Sequence, residues 1–357
     1  MNSILSELGG APLIGWIIGL FTFSAGISRP FSGKLADIIG RKKVMFVGLL
    51  VCLIASLAYP FAFSVWMVLT IRFIHGFSTG FFPTGATALV TDLLPTDKRG
   101  MGMGIWGTFI SLGIGVGQGL GSPISQSIGH NGLFITAGIF ILFSWLLLFP
   151  IKETLIKRHP FQLKMLSLKT SEFFEPHVIP IAIVMFLSAM CSGIIFVLSP
   201  ELSHHLGIEN KGAFFIYYVL STIVVRLVTG RISDRIGRPK MLLIGMSLLT
   251  LSMLLIGVSN TPNWYTFSSI IFGIATGTSS PTLFAWTADL APVNRRGIGT
   301  GTMFIALEFG IFSGSVLTNE LYDHQLNSIF PIFLVGACMA FATVIYLIGF
   351  LIRTAKK

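Results

Sequence analysis

Four charged side chains, Arg29, Arg72, Arg226 and Glu308, and the imidazole of His75 sit in apolar stretches of this sequence, where charge is costly and usually functional. Arg72 lies in VLTIRFIHGFSTG, and His75 follows it one residue short of a full helical turn. Glu308 lies in TGTMFIALEFG and is the only acidic residue deep within an apolar run. A carboxylate there can exchange a proton, pair with Arg72 or bind a cationic substrate. It can also simply pack as a structural, protonated residue. Arg72 can bind an anionic group or reach back to the membrane surface along its own helix. His75 either shares a hydrogen-bond network with Arg72 or fills a packed position.

A second set of charges recurs. GKLADIIGRKK, from Gly33 to Lys43, and GRISDRIGRPK, from Gly230 to Lys240, stand 197 residues apart in register. Gly33 matches Gly230, Asp37 matches Asp234, Gly40 matches Gly237, and Arg41 matches Arg238. The glycines permit tight turns or close helix approach. The acid and the base of each copy can pair, and Asp92 and Asp289, at the ends of later apolar runs, are candidate partners for Arg41 and Arg238. Such ion pairs are modest and reversible, which suits a latch that forms in one conformation and breaks in another. The simpler reading is a solvated turn that sets topology.

The elements that must position these groups are set by composition. The chain has 357 residues, 53% hydrophobic and 11% charged, with mean hydropathy +0.83. Soluble domains carry about 25% charged residues, so this chain cannot cover a water-facing surface. Apolar runs occur at about 14–32, 44–61, 64–90, 101–122, 132–150, 177–199, 212–229, 241–259, 264–288, 298–318 and 329–351. Their lengths suit membrane-spanning helices, and helices satisfy their own backbone in lipid. The expected fold is an all-α polytopic membrane protein with eleven transmembrane helices. Trp16, Trp66, Trp145 and Trp264 fall towards segment ends and read as interfacial anchors. The formal charge of +10 sits in short loops, where it marks topology and contact with anionic lipid rather than nucleic acid. With residues 1–12 outside, the outer loops hold one base, Lys211, and the inner loops and C-terminus hold twenty. The C-terminus is therefore expected in the cytoplasm. Cys52, Cys191 and Cys338 lie in apolar runs, and no Cys/His cluster has metal-ligand spacing, so neither metal nor other cofactor is expected.

The 197-residue register extends beyond the loops. Gly76, Gly80 and Asp92 match Gly273, Gly277 and Asp289, and Arg99-Gly100 matches Arg296-Gly297. Gly102, Gly104, Gly113 and Gly117 match Gly299, Gly301, Gly310 and Gly314. The chain reads as two parallel halves: an N-terminal bundle at 1–150, a basic linker at 151–176 and a C-terminal bundle at 177–357. The partner of the 177–199 segment would fall before Met1, so a start at an internal methionine is expected. Arg72 corresponds to Ser269, so the halves differ where Arg72 would act.

GKLADIIGRKK resembles the signature loop between helices two and three of the major facilitator superfamily, and GRISDRIGRPK its counterpart between helices eight and nine. The likeness runs from about residue 10 to the C-terminus. It implies two pseudo-symmetric six-helix bundles around a central cavity, with 11 of the usual 12 helices present and helix one missing. It implies gating roles for Gly33, Asp37, Gly40, Arg41, Asp92, Gly230, Asp234, Arg238 and Asp289. RFIHGFSTG is similar to the family's helix-four motif, whose arginine serves substrate binding or proton coupling. The glycine ladder GTFISLGIGVGQGLGSP resembles the helix-five motif of its proton-coupled exporters, GPxxGG, with Gln118 in place of the proline and Ser122 in place of the last glycine. Gly113, Gly117 and Gly121 would then pack helices closely.

The expected function is secondary transport of a small organic compound across the inner (plasma) membrane by alternating access, first of all proton-coupled efflux. Sugar or metabolite uptake or exchange is the alternative, and a non-transporting sensor or partner subunit is the rival class. No ATP-binding GxxxxGK[ST] sequence or catalytic constellation is present, so the driving force would be a proton gradient and the chain is not an enzyme. Its partners would be the bilayer and the substrate, with no nucleic acid, and the chain would be a monomer.

Overall fold

Where apolar side chains surround the backbone, each amide must find its acceptor within its own segment, and helix results. The computed structural model describes residues 14–208, 213–323 and 325–355, and these contain no strand. Residues 1–12 and Lys211 lie outside the described residues, as do the side chains of Trp16, Gln118 and Ser122.

Ten long helices follow one another among the described residues: α1 (Ile14–Ile38), α2 (Arg41–Ala58), α3 (Val65–Leu93), α4 (Arg99–Leu147), α5 (Ile179–His205), α6 (Ala213–Ile236), α7 (Arg238–Gly257), α8 (Pro262–Leu290), α9 (Arg296–Leu321) and α10 (Leu326–Ala355). α4 is two helical arms meeting at Gly129, whose φ of 73° and ψ of 175° are not helical. The linker between α4 and α5 contains only short helical turns.

Eight segments are long and apolar enough to cross a membrane, and a ninth qualifies if α6, bent by 49° between Phe214–Arg226 and Val228–Ile236, counts as one span. The expected eleven exceeds this number. α1 and α8 fall short because polar residues interrupt them: Ser24, Ser28, Arg29, Ser32, Lys34 and Asp37 in α1, and the run TGTSSPT in α8.

The turns between α1 and α2 and between α6 and α7 are as tight as the repeated motif suggests. Gly40 has φ 119° and Gly237 has φ 91°, and both have ψ near 150°. Side chains are strongly disfavoured in that region, so each helix pair turns on a glycine.

The chain folds into two compact units. One runs up to Leu93 and adds Gly117–Ile179 and Leu290–Phe309; the other comprises Leu94–Val116, Pro180–Asp289 and the chain from Gly310 onwards. Each unit thus takes one piece from the opposite half of the sequence. In the first unit α3 packs along α1 and α2. Gly76 and Gly80 lie so close to α1 that a Cβ on either would overlap Ser24 or Ser28. Ala55, Tyr59, Val68 and Ile71 form one buried cluster near the other end of α2, with Phe134 stacked on Tyr59 at 4.7 Å. In the second unit α10 packs along α7, and Gly273 of α8 approaches Ser221 as Gly76 approaches Ser24. Trp66 and Trp264 are exposed at the starts of α3 and α8, and Trp145 packs edge-on against Phe46 and Phe149.

Candidate functional site

Each unit carries one complete set of the repeated charges. In the first, Arg41 Nη1 donates to Asp37 at 2.6 Å and its Nε to Asp92 at 3.3 Å. Arg296, at the start of α9, donates to the same Asp92 at 2.7 Å. Asp37 also accepts the amides of Gly297 and Ile298 at 2.8 and 2.9 Å. Those amides belong to the first turn of α9, which has no intrahelical acceptors for them and carries the positive end of the helix dipole. A carboxylate from α1 therefore caps α9.

The second unit repeats this arrangement in register. Arg238 donates to Asp234 at 2.6 Å and to Asp289 at 2.9 Å, and Arg99 donates to Asp289 at 3.0 Å. Asp234 accepts the amides of Gly100 and Met101 at 2.9 and 3.0 Å, capping α4. The pairs Arg41–Asp92 and Arg238–Asp289 match the expected partners. Sequence reasoning missed the exchange: each relay closes on an arginine and two amides from the opposite half of the chain. The matched Arg99-Gly100 and Arg296-Gly297 dipeptides were the available signal.

The glycines of the motif make this contact possible. A Cβ on Gly33 would come within 2.8 Å of the Gly297 carbonyl oxygen, and one on Gly230 would overlap Gly100. The linker reinforces the first set. Glu153 accepts the Arg41 and Lys42 amides at 3.1 and 3.0 Å, capping α2, and Thr154 donates to Asp92 at 2.7 Å. Lys34 pairs with Glu172 at 2.8 Å, and Arg295 with Glu175 at 2.7 Å. Burial tends to raise the Glu172 pKa, but the Lys169 amide and Lys34 outweigh it and hold the carboxyl below its ordinary value.

Deeper in the first unit, Glu308 does not meet Arg72. It pairs with Arg29 of α1 at 2.7 Å, and both side chains are almost wholly buried. Arg29 also donates to Thr84 Oγ1 at 2.8 Å and lies 4.2 Å from the centre of the Phe304 ring. Arg29, which the sequence places inside an apolar run, is given no role by the sequence alone. Its equivalent in the 197-residue register is Arg226, and that correspondence was the signal. Arg226 is likewise buried, with donors directed to Gly107 O, Ser111 Oγ (2.7 Å) and Ser280 Oγ (2.6 Å).

Arg72 lies 4.1 Å over the Phe21 ring, in the same unit. His75 sits between Tyr59 Oη (3.2 Å) and Cys52 Sγ (3.4 Å), edge-on to Phe21 at 5.5 Å. Arg72 neighbours both Tyr59 and His75, so the structure brings the predicted pair together around a tyrosine and a phenylalanine. The glycine ladder behaves otherwise. A Cβ at Gly113, Gly117 or Gly121 would meet nothing within 4 Å among the described residues. Close approaches within the ladder fall at Gly107, against the Arg226 guanidinium, and at Gly115, where a Cβ would lie 3.2 Å from Val219; Gly104, just before it, approaches Arg226 O. No cluster of His, Cys, Asp and Glu among the described residues suits a metal ion.

Long apolar helices, two in-register relays and buried charges define a polytopic helical membrane protein built from a duplicated unit. The family model of the Major Facilitator Superfamily matches residues 1–314 and 181–357, and the chain belongs to that superfamily. It is similar to multidrug resistance protein 2 of Bacillus subtilis (strain 168), 26% identical over 94% of this chain and 85% of that protein. The multi-drug resistance efflux pump PmrA of Streptococcus pneumoniae serotype 4 is 25% identical, over 96% of this chain and 87% of that protein. The crystal structure of the human organic anion transporter MFSD10 (TETRAN) superposes with a TM-score of 0.80 at 20% identity, covering 97% of this chain and 88% of that one. The chain is thus a membrane transporter and not an enzyme.

Proposed function

We propose that this chain exports a small organic compound across the plasma membrane in exchange for protons, by alternating access. The drug-efflux relatives that align along almost the whole chain support the export reading. The observation that carries the coupling is the Arg29–Glu308 pair: one carboxylate held at 2.7 Å by one arginine, both out of water. Protonating Glu308 would remove the partner of Arg29 and so favour a different packing of α1 against α9. The relays around Asp37 and Asp234 supply the reversible element, since each caps a helix from the opposite half of the sequence. Arg72, with His75 and Tyr59, is the proposed substrate-facing polar group of the first unit.

The proposed topology has eleven spans in two bundles, 1–150 and 177–357, joined by the cytoplasmic linker 151–176. The C-terminus lies in the cytoplasm, as the excess of Lys and Arg in the inner loops favours. The transporter works as a monomer without cofactor, on the energy of the proton gradient.

The test is flux in proteoliposomes under an imposed pH gradient, with a panel of fluorescent organic compounds that includes lipophilic cations. A gradient-driven flux that Glu308→Gln uncouples and Arg72→Ala abolishes supports the proposal. A folded, reconstituted protein that moves no compound faster than empty vesicles, or whose flux ignores both substitutions and the gradient, overturns it.

A further inference from the structure

Arg29 and Arg226 occupy the same place in the two repeats, yet their surroundings differ in charge. The register that pairs them also pairs Glu308 with Ser111. In the first unit the arginine meets a carboxylate. In the second it meets the hydroxyl of Ser111, the hydroxyl of Ser280 and the carbonyl of Gly107, all neutral. No carboxylate among the described residues lies within ion-pair distance of Arg226, which is only 8% exposed. A buried ion without a counter-charge is strongly unfavourable, and neutral dipoles compensate it only in part.

We infer that Arg226, Ser111 and Ser280 form a binding site for a monovalent anion, either a free inorganic anion or the carboxylate of an organic ligand. Two features fit such an occupant. The Arg226 Nε–H has no acceptor, and Nη2 keeps a second proton beyond the one given to Ser280. A carboxylate or halide can take both. Ser111 accepts from Arg226 at 2.7 Å. Ser280 is half-buried, while Arg226 Nε is closed to water, so an anion enters only as the packing around the guanidinium opens. Thr276, which accepts the Ser280 proton at its carbonyl, and Thr222 extend the polar lane along α6 and α8. The inference does not rest on the export reading, because it concerns a charge imbalance inside one unit.

The test is thermal unfolding of the purified full-length chain in detergent. Chloride and benzoate are titrated separately, with ionic strength balanced by the bulky sulfonate HEPES. One of the two should raise Tm saturably by about 3–6 °C, as a ligand well above its Kd does for a protein of this size. A response to chloride alone identifies a free inorganic anion, and a response to millimolar benzoate identifies an organic carboxylate. Ser111→Glu supplies the carboxylate that the first repeat already has and should abolish the shift. Arg226→Gln should abolish it too, while Arg226→Lys keeps the charge, loses the planar fork and should weaken benzoate about tenfold. No Tm response of the wild type to either anion overturns the inference. An equal response in whichever of these variants fold overturns it as well.

Discussion

Replacing Glu308 with glutamine tests whether the Arg29–Glu308 pair is as isolated as its geometry indicates. The side chains are 1% and 5% exposed and meet at 2.7 Å. Glutamine keeps the volume of Glu308, so no cavity opens, and the change removes charge alone. Arg29 then retains Thr84 Oγ1 at 2.8 Å and the Gly80 carbonyl at 3.4 Å. Its charge loses its only carboxylate among the described residues. Breaking a buried ion pair by removing one partner costs about 3–5 kcal/mol. The amide oxygen of the substituted glutamine can still accept from Arg29, which points to the low end, about 3 kcal/mol. For a chain of 357 residues that is a fall in Tm of roughly 4 °C. The double variant Arg29→Met, Glu308→Leu removes both charges and should recover most of the loss, to within about 1 kcal/mol of the wild type, because well-packed apolar side chains replace buried pairs at little cost. The assay is thermal unfolding in detergent, followed by tryptophan fluorescence at a fixed scan rate. A single variant within about 1 kcal/mol of the wild type would refute the reasoning, since it would mean that water reaches the pair. So would a double variant less stable than the single one, since the pair would then matter through something other than its charges.

Asp37→Asn should cut flux about tenfold or more per folded molecule, because it removes the charge that caps α9 and pairs with Arg41; transport normalised to folded protein on one preparation checks it. Asp234→Asn should have a comparable effect through α4, and a variant with normal flux would remove the second relay from the gating scheme. Gly40→Ala should cost more than Gly237→Ala. Both glycines lie in a region costing about 1–3 kcal/mol for a side chain, but only at Gly40 would the new methyl group also overlap the Glu153 carboxylate that caps α2. Equal losses of Tm would show that Glu153 moves freely. Because the folded-state pKa of Glu172 is depressed, its contribution is present above its ordinary value of 4.5 and is lost as pH falls through the lower folded value. Glu172→Gln should therefore flatten the acid limb of the Tm–pH curve, by no more than about 1 kcal/mol for a pair near the surface.

The helices and the sharp turns were legible because each rests on a local property. Apolar length determines a span, and a glycine between charged helix ends determines a turn. Boundaries were less so. The sequence separates the 101–122 and 132–150 runs, and the chain does break between them at the non-helical Gly129, but helix already runs from Ile124, within the stretch that separates the two runs. The polar residues of α1 and α8 are tolerated because they bond to the backbone a turn away or to a neighbouring helix, as Ser32 does with Gly80. Such bonding is invisible to hydropathy. Pairings between distant residues were the hardest to read. Arg41 and Asp92 are 51 residues apart and belong to adjacent helices, so their meeting followed from topology. Arg29 and Glu308 are 279 apart. Without a fold, Glu308 looked equally suited to Arg72; the place of Arg29 inside an apolar run and its register with Arg226 were the pointers to it. Part of the glycine ladder differs from expectation for the opposite reason. Small residues permit close packing but do not require it, and Gly113, Gly117 and Gly121 have no near neighbour among the described residues.

The two repeats kept their end-of-helix chemistry and diverged in the middle. Asp37, Arg41, Asp92 and Arg296 have counterparts of the same residue type in Asp234, Arg238, Asp289 and Arg99, with the same donors and acceptors. A few turns along the same helices, Arg29 and Arg226 are equally matched, but the group facing them changes from carboxylate to hydroxyl. A duplicated structure under purely architectural demands has no reason to keep a buried arginine in both copies and its counter-ion in only one. An apolar residue at 226 would pack the second unit at lower cost. The relays hold the same helix ends in both repeats. The unequal pair of arginines is where the halves differ: Arg29 is neutralised by Glu308, and Arg226 meets only neutral groups among the described residues.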